Sequence, residues 1–468
     1  MPRAAYVSLL LLVMAGCATP SGTVTAPLAT LTPESAAADF GARSLRDAAL
    51  QRFLAENTQR DPTAAWDFEA LNWVAFYYHP SLGLARAQWL TARSAQATAA
   101  ARPNPSLTLT PGYNFTREPG LSPWFPGINF DFLFPTTEKR LRQQELARAE
   151  VEAARLGVLV TVWQVRAELR RALAELAGAA RRERVLQKQI DAQEKLVALV
   201  GQRLGAGGAT ASDLSGHRAS LLRSQTALAE AASQSSLVRV KVAAALGVPA
   251  AALAGVALPV PPIVLPLSAE ALLAAPNEAL RTRADVLAAL AKYRSAHANV
   301  ELEIAKRMPD FHLGPGYQWD QGASKWSLAL SLELPLFHRN EAPVAEALAR
   351  RAEASAQFTV VQAQVVAAIE AAAAAQASAE QQVGRIRQLR TELAQQQERV
   401  RQRLQLGVVD QLEVQLAGVE VFSADLLLLD AENAAALASG QLEDALQSPF
   451  PRLSALADAQ RATPSTSP

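Results

Sequence analysis

The stretch Pro309-Asp-Phe-His-Leu-Gly-Pro-Gly-Tyr-Gln-Trp319, followed after a polar break by Lys325-Trp-Ser-Leu-Ala-Leu-Ser-Leu-Glu-Leu-Pro335, decides how the rest of the chain is read. In its second half Trp326, Leu328, Leu330, Leu332 and Leu334 alternate with Ser327, Ala329, Ser331 and Glu333. In its first half Phe311, Leu313, Tyr317 and Trp319 alternate with His312, Gly314, Gly316 and Gln318. Strict period-two patterning means two strands, each with one apolar and one polar face. At roughly ten residues each they have the length of a tilted strand that crosses a bilayer. A hairpin of a soluble sandwich would have the same pattern.

The pattern occurs twice. Without a gap, Pro105, Leu107, Leu109, Pro111, Gly112, Tyr113 and Phe115 align with Pro309, Phe311, Leu313, Pro315, Gly316, Tyr317 and Trp319. Ile128, Phe130, Phe132, Phe134 and Pro135 then match Leu328, Leu330, Leu332, Leu334 and Pro335, with Asn129 and Asp131 on the polar face. The chain is therefore an internal duplication whose period is too long for a short-repeat solenoid.

After each hairpin comes a long proline-free span, from Pro135 to Pro249 and from Pro343 to Pro449, rich in Ala, Leu, Gln, Glu and Arg. The first long helix is expected over 136–204, roughly 100 Å at 1.5 Å per residue. Such a length points to coiled-coil packing, with an independent dimeric rod as the other reading. Leu186, Ile190, Gln193, Val197 and Val200 form a 3-4-spaced stripe, and Val383, Ile386, Leu389, Leu393, Val400 and Leu404 another. The helices break at Arg203-Leu-Gly-Ala-Gly-Gly208 and Arg403-Leu-Gln-Leu-Gly-Val408, where glycine stops a helix. Asp213 and Asp410 then start return helices running to Gly247 and Gln447.

The expected organisation is a signal peptide over 1–16, an N-terminal linker over 17–44 and a first repeat over 45–248. A Pro-rich linker over 249–275, a second repeat over 276–448 and a disordered tail over 449–468 complete it. The strands are expected at 105–115, 127–135, 309–319 and 325–335. A helix is expected over 45–59, another over 66–101, and its counterpart from Pro276 to Lys306. There Ala284-Asp-Val286 lie opposite Pro80-Ser-Leu82. The N-terminus carries Arg3, an apolar run from Tyr6 to Met14, and Ala15-Gly-Cys17, the layout of a secretory signal. Small residues before Cys17 also resemble a bacterial lipoprotein signal, which would make Cys17 a lipidation site. An ordinary signal peptide with an incidental cysteine is the plain alternative. As the only cysteine, Cys17 excludes a disulfide framework and a cysteine-built metal site.

A net charge of +1 without basic runs gives no nucleic-acid signal. The histidines at 79, 217, 297, 312 and 338 are scattered without ligand spacing, and no nucleophile motif appears, so no catalytic residue, metal or cofactor is expected. Four membrane-type strands cannot close a barrel, and an open edge in lipid leaves backbone groups unpaired at several kcal/mol each. Three copies would supply twelve strands around a polar lumen, with the helices continuing the cylinder. In that arrangement Asn129, Asp131, Ser331 and Glu333 face the lumen.

The duplicated order, the Pro-x-aromatic-x-Leu strand openings, the Leu332-Glu-Leu-Pro-Leu-Phe337 exit and the Arg-Leu…Gly…Asp turns together resemble the TolC family over about residues 45–448. Ala284-Asp-Val286 is similar to that family's Arg-Pro-Asp-Val stretch, with Ala for Pro, and Glu138-Lys-Arg140 to the Gly-Lys-Arg of its heavy-metal branch. The resemblance implies a fold that is mainly α with a membrane β-barrel part. It would be a homotrimeric outer-membrane channel, a twelve-stranded barrel with a long periplasmic coiled-coil barrel. It also implies a periplasmic adaptor and an inner-membrane resistance-nodulation-division pump as partners, besides outer-membrane lipid. The turns with Arg203, Leu204, Gly207 and Asp213, and with Arg403, Leu404 and Gly407, would dock the adaptor. The family's acidic gate pair falls on Asp410 and Glu413, whose Asp-x-x-Glu spacing also suits a helix cap. Export of metal cations or type I protein secretion are alternatives within the family. A non-conducting coiled-coil surface scaffold is the alternative outside it.

Overall fold

The computed structural model describes residues 32–58, 64–116, 120–262 and 269–447. The expected signal segment 1–16, Cys17 and the tail 449–468 lie outside the described residues.

Two short helices come first, α1 (Pro33–Ala42) and α2 (Ala48–Asn57). The first lies inside the segment expected to be a linker. Thr32 and Ser35 close a capping box at its start, Pro33 fits its first turn, and none of its residues is buried. The single helix expected over 66–101 is two, α3 (Phe68–Tyr78) and α4 (Pro80–Ala100). Pro80 supplies no N–H and forces His79 out of the helical region, to φ −67° and ψ 124°. The second repeat has the same break, between α7 (Ala269–Thr282) and α8 (Ala284–Ala305). Here Arg283 holds the kink, its guanidinium on Asp285 and on the Ala445 carbonyl. Pro276, expected to open this element, lies within α7.

The long helices match their expectation. They are α5 (Thr137–Gly205) with its return α6 (Ala211–Leu246), and α9 (Glu341–Gln405) with its return α10 (Gln411–Leu446). The return after α5 starts before Asp213: Thr210 is the N-cap and Asp213 the third helical residue of a full capping box. The segment 249–275 is shorter as a linker than expected, with a 3₁₀ turn at Ala250–Leu253 and α7 already under way at Ala269. The main core gathers Leu50, Leu71, Trp73 and Leu82 against Leu169, Leu173, Val242 and Leu246. A smaller one joins Val365, Ile369 and Leu442 to Ala279 and Val286.

The four strands β1 (Ser106–Thr110), β2 (Gly127–Phe134), β3 (Phe311–Asp320) and β4 (Ala323–Leu332) form one antiparallel sheet in the order β1-β2-β3-β4. The two hairpins, about two hundred residues apart, are thus joined through β2 and β3, with Ile128 opposite Tyr317 and Phe134 opposite Phe311. The first strand, expected over 105–115, ends at Thr110, because Pro111 has no N–H for the ladder. One bridge between Tyr113 and Trp124 continues the arm. The last strand, expected to reach 335, stops at Leu332 ahead of Pro335. Between β3 and β4 lies a two-residue turn, Gln321-Gly322, with φ 51° and 91°, the positive values of a tight hairpin.

Candidate functional site: a two-faced sheet and two helical tips

The register puts every apolar strand residue of the alternating pattern on one side. Leu107 pairs with Phe130, Tyr317 with Trp326 and Leu313 with Leu330. Partners share a face, so Leu107, Leu109, Phe130, Phe132, Leu328 and Leu330 form one continuous apolar surface. Leu328 is 69 % and Leu330 72 % exposed, so none of the described residues covers this surface. Towards the loop end it carries aromatic pairs, Tyr317 on Trp326 at 4.8 Å and Tyr113 on Trp124 at 4.9 Å.

The opposite face is polar. Thr108 pairs with Asn129, Asn129 with Gly316, and Gly316 with Ser327. A Cβ on Gly316 would lie 2.2 Å from Asn129 Oδ1, so glycine leaves that amide its place over the sheet. Asp131 accepts from the His312 ring, Nδ1 lying 3.0 Å from Oδ2 and 3.2 Å from Oδ1. Ser331 stands opposite His312 in β4. Glu333 lies one residue beyond the strand, where it lines a cavity with Lys139, His312 and Arg339 at the junction of sheet and helices. The outer edges of β1 and β4 have no neighbouring strand among the described residues.

At the other end the two hairpins finish in matching turns. Gly207 and Gly407 adopt φ +75° and +70°, the left-handed conformation that costs a side-chain-bearing residue most. In each turn the arginine carbonyl accepts from the backbone N–H three residues past the helix end, Gly208 N to Arg203 O at 2.8 Å and Val408 N to Arg403 O at 2.9 Å. Leu204 and Leu404 accept from Gly207 and Gly407, each at 3.0 Å. Their side chains differ, for the first tip is glycine and alanine whereas Leu406 and Val408 stand 78 % and 62 % exposed on the second.

The return helices are capped differently too. The Asp213 carboxylate accepts from Thr210 N at 2.9 Å and Thr210 Oγ1 at 2.7 Å, which holds its pKa below the usual carboxylate range. Asp410 is itself the N-cap, Oδ1 accepting from Leu412 N at 2.9 Å and Glu413 N at 3.2 Å. It also pairs with Arg203, tying the end of α5 to the start of α10. Glu413 is exposed and lines a cavity between the two hairpins with His217 and Glu420.

Sequence reasoning missed the charges where the repeats meet. Arg166 and Arg170 of α5 are buried, both pair with Glu443 of α10, and both stack on Phe68, at 5.3 and 4.9 Å. Asp444 lies beside them with Oδ1 buried and unbonded, and burial pushes its pKa up to about 6. Arginines inside a helix of this composition look like surface residues, and only the tertiary fold brings α3, α5 and α10 together.

No curated protein sequence matches this chain. Among solved structures it resembles VceC, the outer membrane protein of Vibrio cholerae, with TM-score 0.67 and 22 % identity over 82 % of this chain and 96 % of that one. The outer-membrane channel OprN gives TM-score 0.67 and 20 % identity over 82 % and 90 %. CusC gives 0.66 and 18 % identity over 82 % and 94 %. At such identities these likenesses speak for the fold. The family profile described as outer membrane efflux protein matches residues 77–248 and 275–448, the bulk of both repeats. The chain belongs to the outer membrane efflux protein family.

Proposed function

We propose that three copies of the chain form the passive exit duct of a tripartite efflux system in the outer membrane. One observation carries this reading: a four-stranded sheet with an apolar face, a polar face and two unpaired edges, continuous with helices of roughly 100 Å. A sheet of this kind satisfies its edges in lipid only by pairing with other copies, and a head-to-tail arrangement closes into a ring. Twelve strands then surround a lumen that Asn129, Asp131 and Ser331 face, with Glu333 at its inner end. Lipid on Cys17 adds an anchor at the start of the mature chain.

The helical barrel reaches into the periplasm, and its tips receive the adaptor of a resistance-nodulation-division pump. Glycine at Gly207 and Gly407 shapes the turns, Arg203, Leu204, Arg403 and Leu404 hold them, and Asp213 caps the first return. The exposed Leu406 and Val408 give the second tip an apolar surface that suits a protein partner. Asp410 and Glu413 form the gate. Threefold symmetry gathers six carboxylates near the axis, and such rings favour cations. The Arg203–Asp410 pair supports this reading, because it latches the second hairpin to the first at the level where an opening would have to splay them.

The test is conductance in planar bilayers. Wild-type protein is expected to give small, cation-preferring openings, and Asp410→Asn with Glu413→Gln is expected to raise the conductance several-fold. An unchanged conductance in the variant removes the gate, and no current from either protein favours a scaffold.

A further inference from the structure

A cavity of about 430 Å³ opens where the apolar face of the sheet meets the helices. Its walls come from Phe132 and Phe134 of β2 with Pro103 and Pro135, and its polar groups include Arg102 and Arg140. No carboxylate lines it. Arg102 is exposed and has no hydrogen bond or ion pair among the described residues. Arg140 spends one nitrogen on the Ala100 carbonyl at 2.9 Å, while its Nε is buried and unbonded. At the adjoining start of α5, Thr136 makes no side-chain capping bond and its Oγ1 is also buried and unbonded.

Donors without acceptors beside an exposed aromatic wall fit one kind of molecule. We propose that this cavity binds an anionic phospholipid, its phosphate on Arg102 and Arg140 and an acyl chain along Phe132 and Phe134. Guanidinium groups match phosphate oxygens in a bidentate fork, and a basic pocket at the rim of a membrane-embedded surface selects anionic headgroups. A free phosphate would use the arginines but leave Phe132 and Phe134 uncovered, and the apolar surface runs on from them without a break. The proposal rests on the reading that this face of the sheet meets lipid.

The experiment weighs the intact protein by native mass spectrometry after titration with dioleoylphosphatidylglycerol or dioleoylphosphatidylcholine. The wild type is expected to retain the phosphatidylglycerol preferentially, and Arg102→Ala to lose about five- to tenfold of that retention. Arg102→Ala removes no contact that the fold uses, so it tests the site even where Arg102→Ala with Arg140→Ala fails to fold. Excess inorganic phosphate should leave the bound lipid in place. Equal retention of the two lipids, unchanged retention in Arg102→Ala, or displacement by phosphate alone overturns the proposal. Bilayer conductance of the same preparations separates the two levels. A conducting protein that ignores the headgroup sinks this site alone, whereas a protein that neither inserts nor conducts sinks the duct.

Discussion

The two long helices occupy the same place in their repeats and meet opposite surroundings. In α5, 19 of 69 residues are buried, against 7 of 65 in α9. The first lies inside the molecule, packed by α3, α4, α6, α8 and α10, whereas among the described residues the second is packed by α7, α8 and α10. Its most apolar stretch, alanine-rich around Ala371–Ala375, is long and apolar enough to cross a membrane by composition, yet only 17 % of it is buried. The sheet edges do not separate the repeats, since β1 and β4 are both edge strands, but the long helices do, and the second repeat has the less covered one. On the proposed reading another copy completes the less covered half, and the small residues on α9 would let a second helix approach closely.

The repeats also differ in how they secure the return helix, and the largest expected effect tests that difference. In the first, Arg43 donates to the carbonyls of Tyr78 and Gly247, at 3.0 and 2.7 Å. In the second, Glu443 holds two buried arginines. Glu443→Ala would leave both arginines buried without their shared carboxylate and is expected to cost about 3–5 kcal/mol. Arg43→Ala loses charge-assisted bonds to neutral carbonyls and should cost about 1.5–3 kcal/mol. Denaturant unfolding in detergent measures both, and equal losses would break the distinction.

A smaller effect sharpens it through pH. Asp444 has a folded pKa of about 6, raised by burial, so the folded protein binds its proton more tightly than the unfolded chain does. Stability from this group is therefore full below the unfolded value, about 4, and falls as pH rises through about 6. Asp444→Asn should remove that slope and stabilise the protein at pH 8 by about 3 kcal/mol, measured as the pH profile of the melting temperature. A profile identical to that of the wild type would show that the carboxylate is not held out of water. Asp213 has the opposite sign. Its depressed pKa stabilises the first tip at neutral pH, and that contribution fades as the medium becomes acid.

The tips bring the smallest difference. Gly207→Val and Gly407→Val each force a branched side chain into left-handed backbone and should cost about 1–2 kcal/mol, alike in the two repeats. Crosslinking to an adaptor is expected to fall more in Gly407→Val, beside the exposed Leu406 and Val408, and equal losses would make the tips interchangeable.

Much of this was legible in the residues. Alternation at Trp326–Leu334 places strand and face together, because a one-residue slip would bury the serines. The proline-free spans and the glycine turns inside them place the long helices to within a residue or two, since between those turns nothing stops a helix. Reading Trp66 to Ala101 as one helix failed because Pro80 is also a comfortable first residue of a new helix. Arg283 gave no local signal, since its kink depends on a carbonyl 162 residues away. At the tips, the Asp-x-x-Glu spacing showed a cap at Asp410 but not its tie to Arg203, which exists only once two hairpins lie side by side. Likewise His312 looked like one of five scattered histidines until β2 and β3 paired and set it on Asp131.

The most direct test of the central claim joins the two free edges. Cysteines placed on β1 at Leu107 and on β4 at Leu330, linked by a short bismaleimide in membranes, are expected to give a covalent ladder that ends at three chains, with neither single variant giving it. Monomers alone, or a ladder that runs on past three, would contradict the account.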